Sequence, residues 1–143
     1  MKYVGLFVLM FVTTGMALAQ NNVLGTWKSI DDETGEAKSH VQIFKKGDKL
    51  YGKIVKILTD KGDDALCDAC KGKKKNQPVL GMAIIEKLEY DGERWRGGQI
   101  LDPEDGNTYG CVVWTPDDND NVLKVRGRHW TGLYRTQTWH RVK

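Results

Sequence analysis

The most obvious chemistry in this sequence belongs to Cys67-Asp68-Ala69-Cys70. Two thiols with two residues between them can cycle between dithiol and disulfide, or ligate a metal as thiolates. Redox use needs a stabilised thiolate, normally supplied by a helix N-terminus in a βαβ frame. The flanking runs here are strand-like, and the only help to a thiolate is the cluster Lys71, Lys73, Lys74 and Lys75. Zinc would need further ligands, and the remaining candidates, Cys111, His40, His129 and His140, are scattered over separate segments. No metal and no cofactor is expected. The expected role of Cys67 and Cys70 is a disulfide clasp on a long loop, with Cys111 a buried, apolar-like residue.

Other constellations are weaker. Asp117-Asp118-Asn119-Asp120-Asn121 is rich in oxygen ligands but lacks the glycine and distant glutamate of a calcium loop, so it reads as a solvated hairpin tip. The Lys71 to Lys75 run could touch anionic headgroups or polysaccharide, and otherwise reads as a solvated loop. Gly-x-Ser-x-Gly, His-Glu-x-x-His and P-loop patterns do not occur, so the residues do not suggest an enzyme. The segment Leu133 to Val142 says more. Period-two alternation puts Leu133, Arg135, Gln137, Trp139 and Arg141 on one face. If Trp139 points inward, Arg135 and Gln137 go with it, and a buried cation needs a partner. Asp102 or an anionic ligand could serve. In that reading Tyr51, Trp95, Tyr109 and Trp139 wall a small ligand cavity. In the other, Arg135 lies on the outer face or makes an internal ion pair in a filled interior.

The elements that must position these groups are strands. Runs rich in β-branched and aromatic residues cover about Leu24 to Ile30, His40 to Lys45, Leu50 to Leu58, Met82 to Tyr90, Trp95 to Leu101, Thr108 to Trp114, Val122 to His129 and Leu133 to Val142. Turn signals such as Asp91-Gly92 and Asp102-Pro103-Glu104-Asp105-Gly106 separate them. One long connection, Thr59 to Pro78, holds both Cys67 and Cys70. No helical period is sustained. Eight sequential strands predict an all-β, up-and-down antiparallel meander. Closing it into a barrel would remove its edges; a single sheet or a two-sheet sandwich is the competing arrangement.

Residues 1–19 read differently. Lys2 precedes the uncharged apolar run Val4 to Val12, and small residues end in Ala17-Leu18-Ala19. This is the pattern of a cleavable signal peptide, with cleavage expected before Gln20; the run is too short to span a bilayer. Residues 20–143 are then one domain, exported to a periplasm or secreted, with no transmembrane segment. A net charge of +3 over the whole chain is too small for a nucleic-acid binder. An oxidising destination also favours the cysteine clasp. Oligomeric state has no signal in the sequence.

Two resemblances follow from motifs in this order. Gly25-Thr26-Trp27 at the start, with Arg141 in the last strand and Arg135 as the weaker candidate, resembles the lipocalin superfamily. That likeness implies a barrel whose closed end is plugged by Trp27, with Gly25 as the bend and Arg141 over the ring. Tyr51-Gly52-Lys53, the Cys67 to Gly72 segment, Gly97-Gly98, Ile100-Leu101-Asp102-Pro103, Gly106-Asn107-Thr108-Tyr109, Val125-Arg126-Gly127 and Arg135 to Trp139 resemble the exported bacterial family called domain of unknown function 2147. It implies export and a calycin-like β fold, without an activity to carry over. Binding of a small anionic or amphipathic ligand, or of an envelope component, is the expected function. A structural or protein-interaction module, and a redox protein using Cys67 and Cys70, are the alternatives.

Overall fold

A computed structural model describes residues 20–143; the expected leader lies outside the described residues. The chain forms eight strands: β1 (Gly25–Ile30), β2 (Ala37–Lys46), β3 (Lys49–Ile57), β4 (Ala83–Tyr90), β5 (Trp95–Leu101), β6 (Thr108–Trp114), β7 (Val122–Arg128) and β8 (Tyr134–Arg141). Each pairs antiparallel with the next, and β8 returns to β1, so the sheet closes as a barrel. The sheet and sandwich alternatives are not adopted. The main boundary difference is β2, which starts at Ala37 rather than His40.

Turn chemistry explains much of this order. Asp31 accepts the amides of Glu33 and Thr34 at 2.9 and 2.8 Å, and Asp91 does the same for Glu93 and Arg94 at 2.9 and 2.7 Å. Asp102 accepts the Glu104 amide at 2.9 Å. Such aspartates let a turn satisfy its own backbone without a partner strand. Between the turns, alternate residues face inward: Trp27, Val41, Leu50, Val113, Leu123 and Trp139 are almost wholly buried.

One end of the barrel is shut. Trp27 is 0% exposed, its indole N–H donates to the Val23 carbonyl at 2.9 Å, and the Arg141 guanidinium lies 4.1 Å from its ring centroid. The same guanidinium donates to the carbonyls of Leu24, Asn22 and Asp120 at 2.9, 2.7 and 2.7 Å. The 117–121 loop is therefore not merely a solvated tip, because Asp120 supplies one of those carbonyls. Gly25 has φ +123°, and a Cβ there would stand 2.8 Å from Arg141 Nη1. Both conformation and space demand glycine.

Replacing Arg141 by Ala leaves three carbonyls and an indole face without their donor. The expected loss in urea denaturation is about 3 kcal/mol. Arg141→Lys should restore little, because an ammonium cannot serve three separated acceptors in one plane.

Candidate functional site

The other end of the barrel is open. The β1–β2, β3–β4, β5–β6 and β7–β8 connections surround a cavity of about 560 Å³. Ile54, Ile84, Leu101, Val125 and Trp139 supply its apolar wall. Two buried serines add the polar spot. Ser29 and Ser39 sit at a bulge where the β1–β2 register slips, and the Ser29 hydroxyl accepts the Ser39 amide at 3.0 Å. The hydroxyls lie 2.9 Å apart. The bulge frees an amide from the ladder, and the serine satisfies it. Period-two counting from Trp27 places Ser29 inward, which is the one signal of this feature in the sequence.

The inner face of β8 behaves as alternation predicts, with one addition. The Trp139 indole N–H donates to Gln137 Oε1 at 2.9 Å, and Gln137 Nε2 donates to Asp32 Oδ1 at 3.3 Å. Arg135 Nε donates to Asp32 Oδ2 at 3.0 Å, and Glu33 stands 3.5 Å from Arg135 Nη1. Arg135 is thus at the cavity rim, neither on the outer face nor inside a filled barrel. Its carboxylate partner is Asp32, from the β1–β2 turn, and not Asp102. The pair responds as an ion pair should. Hydrogen bonding to Arg135 holds the Asp32 carboxyl below its ordinary range, and the same bond raises Arg135.

Of the six residues expected to bind ligand, Tyr109, Arg135, Gln137 and Trp139 line this cavity. Tyr51 and Trp95 do not, and their expected place is corrected. Tyr51 stacks on Phe44 with ring centroids 5.9 Å apart, because the two are cross-strand partners on β2 and β3. Trp95 is buried near the shut end, where its indole N–H donates to the Gln20 carbonyl at 3.1 Å. Composition marks both as wall candidates; only register and end decide which aromatic meets the cavity.

A family described as "Uncharacterized protein conserved in bacteria (DUF2147)" matches residues 25–141. The chain belongs to this family. A solved structure described as "Protein HP1028 from the human pathogen Helicobacter pylori belongs to the lipocalin family" is similar to it, with a TM-score of 0.71 at 20% identity, over 84% of this chain and 82% of that one. The likeness shows a lipocalin-like fold. No curated protein matches the chain.

In this DUF2147 chain Cys67 and Cys70 form a disulfide, and both are almost wholly buried. The bridge serves the cavity mouth. Cys67 Sγ lies 3.5 Å from the Pro103 carbonyl oxygen, and a Cβ on Gly106 would come within 1.9 Å of the Ala69 carbonyl. The clasped loop therefore rests directly on the β5–β6 turn. The lysines that read as a solvated run help to tie it down. Lys74 donates to the Ala83 carbonyl at 2.8 Å and stands 3.4 Å from Glu86, while Lys71 reaches Asn107 at 3.4 Å. Lys75 donates to the Asp68 carbonyl. Cys111 is a buried free thiol, and burial pushes its pKa up to about 12. Among the described residues no group of three or more His, Cys, Asp or Glu side chains is placed to hold a metal ion.

Asp31, Asp32 and Asp91 have lowered pKa values, whereas Asp102, beside the clasp, is pushed the other way. Burial raises its pKa above the ordinary 3.8, the Glu104 amide opposes that, and Asp105, Glu104 and Asp31 push it further up. A raised pKa means the folded state holds this proton more tightly than the unfolded chain. Stability then falls as pH rises from about 3.8 through the raised value, and the cost persists at neutral pH. Asp102→Asn should therefore melt at higher temperature than the parent at pH 7, and the gap should close as pH falls toward 4. Thermal melts across that range, followed by circular dichroism, check it.

Proposed function

We propose that residues 20–143 form an exported binding barrel that takes a small amphipathic molecule, or part of an envelope component, into its open end. The observation that carries this reading is the cavity of about 560 Å³, apolar in its depth and polar at its rim. Ligand sites commonly combine such walls with a few convergent polar groups. In this reading Tyr109, Arg135, Gln137 and Trp139 are ligand-contacting residues. The Gln137 and Asp32 bridges hold the Trp139 indole in place, so it offers the ligand a rigid ring.

A neutral apolar fluorophore, N-phenyl-1-naphthylamine, tests the site. Saturable uptake at one probe per chain, with quenching of tryptophan emission, is expected. Val125→Trp puts bulk into the cavity and should weaken uptake by about tenfold or more while the β-sheet spectrum is kept. Uptake that is unsaturable, or unchanged by that substitution, contradicts the reading.

Export rests on residues 1–19 alone. It accounts for the disulfide, since such bridges persist in oxidising compartments. Protein recovered from the periplasm or medium should begin at Gln20 on N-terminal sequencing. Recovery of the intact N-terminus from the cytoplasm would remove export from the proposal.

A further inference from the structure

Arg135 taken alone suggests an anionic ligand, but the charges around it point the other way. Six carboxylates and three cationic side chains border the cavity. Arg135 is held by Asp32, and Lys38 stands 3.2 Å from Glu104 and 2.8 Å from Glu36. Lys61 is the one bordering cation without an ion pair among the described residues. Asp102 and Asp105, on the β5–β6 turn, have no cationic partner among them either. Asp105 accepts the Tyr109 hydroxyl at 2.7 Å. Asp102 uses Oδ1 on the turn amide, and its Oδ2 has no hydrogen bond among the described residues.

The aromatic rings supply a second, independent sign. Several rings already carry a protein cation on one face: Trp27 has Arg141, Trp114 has Arg94 at 4.1 Å, Tyr134 has Arg126 at 4.4 Å and Phe44 has Lys53 at 5.5 Å. At the mouth, the Tyr109 and His129 rings lie 6.3 Å apart between centroids, with no protein cation over either among the described residues. Trp130, 5.4 Å from His129 and 90% exposed, borders the neighbouring pocket with Lys71, Lys73 and Lys74 instead. Free aromatic faces beside surplus carboxylates are the two features that recognise an alkylammonium group. The cavity behind them is apolar, which suits the body such a group would carry.

We propose that this cavity receives an amphipathic cation, an amine or quaternary ammonium on an apolar chain or ring. Its charge sits at the mouth between Asp102, Asp105 and the Tyr109 ring, and its body lies against Ile54, Ile84 and Val125. The proposal rests on the binding reading above and names the class of ligand for that same site. An anion of equal size would have to approach the surplus carboxylates, so the rim selects against it as well as for the cation.

Three ten-carbon probes below their micellar concentrations make the test: decyltrimethylammonium, decyl sulfate and decanol, each displacing N-phenyl-1-naphthylamine. The cation is expected to displace the fluorophore at roughly tenfold lower concentration than the anion, an advantage that shrinks in added salt. The double variant Asp102→Asn, Asp105→Asn should lose most of that advantage and leave decanol unchanged, which shows that the cavity itself is intact. Equal displacement by all three probes, or preference for decyl sulfate, overturns the cation proposal while leaving the binding barrel in place. A parent protein that takes up neither the fluorophore nor any probe overturns the binding reading, and the cation with it.

Discussion

A barrel of this kind depends on joining its last strand to its first, and here that join is short. β8 pairs with β1 at Trp27↔Arg141 and Lys28↔His140, with one more backbone bond from the Val142 amide to the Thr26 carbonyl at 2.9 Å, whereas β8 pairs with β7 from His140 to Tyr134. Two residue pairs are little ladder to hold a closed sheet against an exposed edge. Arg141 makes up the difference. One planar guanidinium bonds carbonyls from the segment before β1 and from the β6–β7 connection, and stacks on Trp27. Two parts of the chain, remote in sequence from each other, are thereby fixed to one residue.

The short seam shapes the other end as well. Beyond Lys28 the two edge strands are no longer laddered, and side chains take over from backbone. Asp32 reaches Arg135 and Gln137, while Ser29 closes the neighbouring bulge with Ser39. A cavity bounded by such bridges can keep its apolar depth without leaving backbone polar groups unmet. The clasped loop then bears on the β5–β6 turn, so the residues that give the mouth its charge are held from two directions.

Much of this was legible from residue order. Strand count, meander order and the inward face of β8 follow from local patterns of period two and turn residues, whereas the Gly25, Trp27 and Arg141 closure is what the lipocalin resemblance implies. The clasp was legible too, because Cys67 and Cys70 are close in sequence. What escaped were relations between distant segments. Asp32 reads as one of several acidic residues in a turn, and only the barrel brings it to Arg135. Tyr51 and Trp95 read as wall aromatics because their types fit, yet one lies against Phe44 and the other near the shut end. The lysine run carried no sign that Lys74 would reach back to Ala83 and Glu86.

Asp102 brings the turn, the charge of the mouth and the stability of the fold together in one residue. One oxygen closes the turn by accepting the Glu104 amide, and the other is left without a bond among the described residues. Ionising it beside Asp105 and Glu104 works against the fold, since like charges and burial both favour the neutral acid. An asparagine can close the same turn through its side-chain oxygen without that penalty. The turn therefore does not explain why a carboxylate is there rather than an amide. A cation brought to the mouth would, because it would offset the repulsion that the free protein carries. A residue whose charge weakens the empty barrel and strengthens the loaded one couples ligand binding to stability.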